Sequence, residues 1–235
     1  MEAIVLAGGL GTRLRSVVED LPKPMAPVAG RPFLAFVLDQ LLTAEFETAI
    51  LAVGYRHEAI RAHFGDDYRG MRLIHSVESK PLGTGGAIRL ACAFVQARDV
   101  FVLNGDTFLD LDFRAMLAAH TAATAQLSIA VCHVPDVARY GALDLDDGTV
   151  RGFREKGSSG SGWINGGTYV LGSALRARLP AAGAFSFERD VLMAEVRAMQ
   201  PLAFRTDGVF IDIGVPEDYE RAKVLFATSE RPAVP

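Results

Sequence analysis

The chain has 235 residues, half of them hydrophobic and 22% charged, with a formal net charge of −4. That length fits one α/β domain with a sizeable core, and the charge argues against a general nucleic-acid or acidic-membrane binder while leaving room for a local cationic pocket. No apolar run reaches spanning length, Met1-Glu2-Ala3-Ile4 has no basic n-region, and Cys92 and Cys132 offer neither metal-type spacing nor a disulfide framework. The expectation is a cytoplasmic protein with reduced thiols whose N-terminus is its first strand.

That strand, 4–7, empties into Gly8-Gly9-Leu10-Gly11-Thr12-Arg13-Leu14. Glycines let the backbone come close to a ligand, and successive bare N–H groups beside an arginine suit a polyphosphate. A tight strand-to-helix turn is the other reading. The dinucleotide fingerprint fails, because its third glycine would fall on Leu14, and the P-loop fails for want of Lys-Ser or Lys-Thr. Ten residues after Arg13, Lys23 stands between Pro22 and Pro24. The prolines predict a stiff, non-helical presentation, either a solvated turn or a second phosphate clamp.

Next come a helical stripe over 32–46 with Pro32 suited to its first turn, a buried strand at 49–53, a short helix at 57–64 and a strand at 71–77. Pro81-Leu82-Gly83-Thr84-Gly85-Gly86-Ala87 is a second Gly-rich turn, entering a helix over about 85–95 with Thr84 as its N-cap. A strand at 100–103 runs into Asn104-Gly105-Asp106, and ligands in open α/β sheets bind beyond such carboxyl ends. Asp106 therefore reads as a Mg²⁺ ligand or as turn chemistry. A helix at 113–123 and a strand at 127–134 complete an alternating α/β pattern.

The second half begins with a hairpin, 142–145 and 149–153, turning at Asp147-Gly148. The Gly/Ser-rich loop 157–162 reads as a linker or as a lid over a substrate. A strand at 163–171, a helix at 187–199, strands at 202–204 and 209–213, and a last helix from Pro216 to about 226 follow, with 229–235 a frayed tail. Asp212, flanked by apolar residues, needs a partner if ionised and reads as a second metal ligand.

The pair Leu6-Ala7-Gly8-Gly9-Leu10-Gly11-Thr12-Arg13-Leu14 and Pro22-Lys23-Pro24-Met25 resembles the signature of sugar-1-phosphate nucleotidyltransferases, and the resemblance runs from Ile4 to about Phe226. It implies a three-layer α/β/α, Rossmann-like nucleotide-diphospho-sugar transferase fold with a mixed, mainly parallel central sheet. It also implies one domain over 1–228, with a nucleotide-binding half at about 1–135 and a sugar-binding half at about 136–228. Arg13 and Lys23 are then catalytic, and Leu6, Ala7, Gly8, Gly9, Gly11, Thr12, Arg13, Gly83, Thr84 and Gly85 bind the nucleotide. Gly141, Glu155, Lys156 and Asn165 bind the sugar phosphate, and Asp106 and Asp212 hold Mg²⁺. Read without the family, Glu155-Lys156 is a surface ion pair and Asn165-Gly166-Gly167 a bulge.

The partners implied are an NTP and a sugar 1-phosphate, with no nucleic acid, no membrane, and a homo-oligomer open. The motif combination looks most like the D-glycero-D-manno-heptose 1-phosphate guanylyltransferases, which implies GTP and the heptose phosphate. Mannose-1-phosphate guanylyl transfer, and dTTP or UTP with glucose or N-acetylmuramate 1-phosphate, are the alternatives. A silent nucleotide-sugar sensor is the reading from another class, and the presence of Arg13, Lys23, Asp106, Lys156 and Asp212 together counts against it.

Overall fold

The computed structural model describes residues 1–9, 21–154, 157 and 159–227. The expectations for Leu10 to Leu14, for Glu155 and Lys156 and for the tail 229–235 lie outside the described residues, as does Ser158 of the proposed lid.

In chain order the strands are β1 (Glu2–Leu6), β2 (Pro27–Val28), β3 (Arg31–Pro32), β4 (Thr48–Val53), β5 (Asp67–Tyr68), β6 (Met71–Val77), β7 (Asp99–Asn104) and β8 (Thr107–Leu109). They continue with β9 (Leu127–Val134), β10 (Leu143–Asp146), β11 (Thr149–Phe153), β12 (Gly162–Gly172), β13 (Leu202–Thr206) and β14 (Phe210–Asp212). The α-helices are α1 (Phe33–Thr43), α2 (His57–Phe64), α3 (Gly83–Ala91), α4 (Phe113–Ala122), α5 (Ser173–Arg178), α6 (Ala194–Met199) and α7 (Pro216–Ala227).

Ten strands form one sheet in the order β10-β11-β13-β9-β12-β7-β1-β4-β6-β5. The strands β1, β4, β6, β7, β9 and β13 run in one direction, and β12 lies reversed between β7 and β9. The order steps outward from β1 in both directions, to β4 on one side and β7 on the other. Such a reversal opens a crevice beyond the carboxyl ends of the two strands.

Alternation along β1 makes the layers. Ala3 and Val5 pack with α1, α2, α4 and α7, whereas Ile4 packs with Ile88 of α3, Leu175 of α5, and Phe187 and Val196 around α6. All three β1 residues are fully buried, and each fully buried Ile, Leu or Phe supplies ~1.5–3 kcal/mol. Helix α4 starts where Asp112 accepts the Ala115 N–H at 2.9 Å, a side-chain cap.

The structure corrects several boundaries. Lys23–Met25 is one turn of 3₁₀ helix rather than non-helical, its Met25 N–H bonded to Pro22 O at 2.7 Å. Pro22 is extended, whereas Lys23 enters the turn despite the extended preference of a residue that precedes proline. Helix α3 begins at Gly83 and passes into a 3₁₀ turn over Cys92–Phe94. Thr84 does not cap it, because its hydroxyl donates to Glu188 at 2.8 Å and accepts from the Phe187 N–H at 2.8 Å.

The helix expected over 187–199 is two: a π-helical segment Phe187–Met193, then α6. Helix α5 and strand β8 are additions, and β8 pairs antiparallel with β14, setting Asp212 opposite Thr107. The Asp147-Gly148 hairpin turn is present, both residues with positive φ.

Candidate functional site

Strand register brings the glycine-rich exit of β1 beside the Asn104-Gly105-Asp106 segment. Leu6 pairs with Asn104, and the Gly105 N–H bonds Leu6 O at 2.9 Å. A Cβ at Gly105 would stand 2.7 Å from that oxygen, so this turn closes only on glycine. The chain therefore leaves β7 directly beside the Ala7-Gly8-Gly9 exit from β1.

Asp106 and Asp212 arrive by different routes at one cation. The Lys23 ammonium bonds the Asp106 carboxylate and lies 3.6 Å from Asp212 Oδ1. Buried Pro24 and Met25 anchor the lysine, and the Ile213 N–H bonds Asp106 O at 3.1 Å, tying the two acidic segments through backbone. The Gly214 N–H also holds Asp212 Oδ1 at 2.7 Å. Burial, then the like charge of Asp106, push the Asp212 carboxyl above the usual range, against the opposing pull of Lys23.

A carboxylate pair that shares one lysine among the described residues could hold a small, hard divalent cation. Among the described residues no third His, Cys, Asp or Glu joins them as a ligand cluster. The donor set thus fits an ion that takes few protein oxygens and completes its shell with phosphate and water.

Two cavities meet at this centre. The first, of about 610 Å³, is lined by Leu6, Gly8, Gly9, Lys23, Gly83, Thr84 and Asp106, among others. The second, of about 640 Å³, takes in Tyr140, Gly141, Arg154, Asn165, Tyr169 and Asp212. Asn104 and Glu188 line both. Each cavity draws on both halves of the chain, since Glu188 comes from the second half and Asn104 from the first.

Of the sequence candidates, Ala7 is buried and hydrogen-bonds Ala52 O at 2.8 Å, and is not among the residues lining the first cavity. Gly85 also stands outside that lining. Its N–H bonds Phe185 O at 3.0 Å, and a Cβ there would come 2.1 Å from the Phe185 ring. This glycine serves packing of the 183–187 segment on α3.

Asn165 combines two readings. It begins a bulge where the β12–β9 register shifts before Tyr169, and it faces the second cavity. Its Oδ1 accepts the Gly167 N–H at 3.0 Å, and its Nδ2 donates to the Tyr169 hydroxyl at 2.8 Å. Gly141, with φ of 80°, also lines that cavity. The neighbouring Tyr140 hydroxyl donates to buried Asp218 at 2.6 Å, anchoring this loop to α7.

Gly157 and Gly160, from the loop read as linker or lid, are bonded by backbone to Ala138 and Val137.

Sequence reasoning missed Glu78 and Glu188. Glu78 follows β6, and a Cβ on adjacent Gly54 would stand 2.6 Å from its Oε1, so the carboxylate lies across Gly54 inside the first cavity. Its Oε2 accepts the Leu82 N–H at 3.0 Å, and burial raises its carboxyl above the usual range against that bond. The available signal was an acid directly after a predicted strand, close to the pattern used for Asp106. Glu188 had no such signal, because its place depends on the packing of a π-helix against α3.

A family model described as "Nucleotidyl transferase" matches residues 2–229. The chain is 42% identical to the D-glycero-alpha-D-manno-heptose 1-phosphate guanylyltransferase of Aneurinibacillus thermoaerophilus, over 95% of this chain and 97% of that protein. It is 41% identical to the Campylobacter jejuni protein of the same name, over 93% and 97%. A crystal structure of HddC from Yersinia pseudotuberculosis complexed with GMP-PN superposes with a TM-score of 0.86 at 39% identity, covering 96% of this chain and 99% of that one.

Proposed function

Because the chain belongs to the nucleotidyl transferase family, we propose that it transfers a guanylyl group from GTP to D-glycero-α-D-manno-heptose 1-phosphate, releasing pyrophosphate. The observation that carries this reading is the convergence of Lys23, Asp106 and Asp212 where the two cavities meet. GTP occupies the first cavity and the heptose phosphate the second.

A phosphate oxygen of the sugar attacks the α-phosphorus as the bond to the β-phosphate oxygen breaks, and pyrophosphate leaves with that electron pair. The nucleophile is already anionic near neutral pH, so no general base is needed. What the protein must supply is positioning and positive charge. Lys23 neutralises phosphate oxygens at the reacting centre. Arg13, on the motif it shares with the family, neutralises the triphosphate, and Lys156 holds the incoming sugar phosphate beside Glu155. Asp106 and Asp212 would hold Mg²⁺, which when bound offsets negative charge on the reacting phosphates.

Glu78 supports guanine. An ionised carboxylate only accepts hydrogen bonds, and guanine turns N–H donors toward such a group. Gly141 and Asn165 face the acceptor sugar. The reaction suits the cytoplasm, where nucleoside triphosphates are available, and no helix among the described residues is long and apolar enough to cross a membrane.

The test is pyrophosphate release with GTP, UTP, dTTP, CTP and ATP crossed against heptose, mannose, glucose and N-acetylmuramate 1-phosphates, with and without EDTA. Turnover centred on GTP and heptose 1-phosphate, lost in EDTA, is the expected result. Preference for another pair overturns the substrate assignment and leaves the transfer chemistry standing.

A further inference from the structure

The segment Phe187–Met193 is π-helical, an uncommon geometry that recurs at functional sites. Its burial pattern shows what the wider turn accomplishes. Phe187, Val191 and Leu192 are buried, Arg189 and Asp190 are exposed, and Glu188 and Met193 line the second cavity. In an α-helix residues five apart lie about 140° apart around the axis, which would carry Met193 away from the face of Glu188. With i→i+5 bonding, residues five apart return to nearly one face. The same winding keeps both Val191 and Leu192 in the core with Phe187.

Glu188 and Met193 differ in depth. Glu188 lines both cavities and is tied to Thr84 at 2.8 Å and Ser186 at 3.2 Å, so it marks the boundary with the nucleotide. Met193 lines the second cavity alone, one helical turn further on, and is 47% exposed. A thioether left open on a cavity wall offers an apolar surface to whatever enters.

We infer that the π-turn makes Met193 a specificity-determining residue, a gauge of acceptor length at the end of the sugar remote from its phosphate. The inference rests on the proposed acceptor site. The phosphate must sit at the Lys23–Asp106–Asp212 centre, so a heptose and a hexose held there differ at the opposite end of the second cavity. A heptose carries one more carbon to that end, and the wall that ends at Met193 decides whether it fits.

The experiment compares kcat/KM for D-glycero-α-D-manno-heptose 1-phosphate and α-D-mannose 1-phosphate, with GTP, in wild type, Met193→Trp and Met193→Leu, with KM for GTP measured in each. Met193→Trp fills the distal space and is expected to lower the heptose-to-mannose ratio at least tenfold while KM for GTP stays within twofold. Met193→Leu keeps volume and apolarity and is expected to hold the wild-type ratio within threefold. An active wild type whose ratio is unmoved in a folded Met193→Trp protein, or both acceptors falling in parallel, overturns the gauge alone. A wild type silent with both acceptors overturns the proposed function and the gauge with it.

Discussion

Asp106→Ala removes one of the two carboxylates that share Lys23, and the structure fixes what else goes with it. The side chain is about a third exposed, and among the described residues it also accepts a hydrogen bond from the Thr107 hydroxyl at 3.4 Å. The pair is part-buried, with Lys23 only 14% exposed, but its loss leaves no unpaired cation because Asp212 stays 3.6 Å from the ammonium, so the net cost is ~1 kcal/mol, that of a typical hydrogen bond. The backbone bonds of the segment, Gly105 N–H to Leu6 O and Ile213 N–H to Asp106 O, do not involve the carboxylate. Loss of the like charge beside Asp212 works in the stabilising direction, and Lys23 keeps Asp212 as a partner.

For a chain of this size ~1 kcal/mol corresponds to ~2–4 °C in Tm, so the variant is expected to melt within about 4 °C of wild type. Turnover is another matter. Removing one preorganised electrostatic contact to the transition state costs on the order of 10²–10³ in rate, or ~2.7–4 kcal/mol of barrier at 1.36 kcal/mol per decade. The assay is pyrophosphate release at saturating GTP and heptose 1-phosphate, with circular dichroism melts alongside. A folded Asp106→Ala protein turning over at the wild-type rate would refute the metal assignment, and a variant that fails to fold would refute the claim that this carboxylate acts in chemistry alone.

Glu78→Gln replaces an acceptor-only group with one that presents an amide N–H₂. Hydrogen bonds to charged groups contribute ~1.5–3 kcal/mol, so kcat/KM for GTP should drop at least tenfold with KM for the sugar phosphate little changed; an unaltered GTP preference would remove Glu78 from base recognition. Gly85→Ala puts a Cβ 2.1 Å from the Phe185 ring. Overpacking of this kind costs ~1–3 kcal/mol, seen as a lower urea midpoint, and an unchanged midpoint would show that the 183–187 segment moves freely off α3. His120 is buried, bonded through Nδ1 to Ser128 at 2.7 Å, and burial lowers its pKa from 6.5 despite Asp99. The unfolded chain therefore binds the proton more readily, so stability from this group is full above about pH 6.5 and is lost as pH falls toward the folded-state pKa. His120→Asn should flatten the decline of Tm between about pH 6.5 and pH 5, and equal slopes in the two proteins would contradict the burial argument.

Strand positions were legible wherever the chain is buried on both faces, because a continuous run such as Ala49 to Val53 admits few other uses. The sequence pointed to Lys23 and the two aspartates by their places between prolines or at strand exits, positions that also admit a plain turn, and the structure brings the three side chains together. Three things were not. The 3₁₀ turn at Lys23 depends on Pro24 and Met25 being buried, which is a tertiary fact. Thr84 looks like a cap until Glu188 and the Phe187 N–H compete for its hydroxyl. The π-turn goes unread in the apolar content of 187–199, although Val191 and Val196, five apart, would stand about 140° from each other on an α-helix and so depart from a single α-helical stripe.

³¹P NMR of the folded protein with GTP, heptose 1-phosphate and Mg²⁺ follows the proposed transfer itself. Guanylyl transfer removes the GTP and sugar-phosphate signals together, with equimolar pyrophosphate and a GDP-sugar diphosphate diester taking their place. GTP and heptose 1-phosphate persisting unchanged, or GTP broken down with no diester formed, would contradict it.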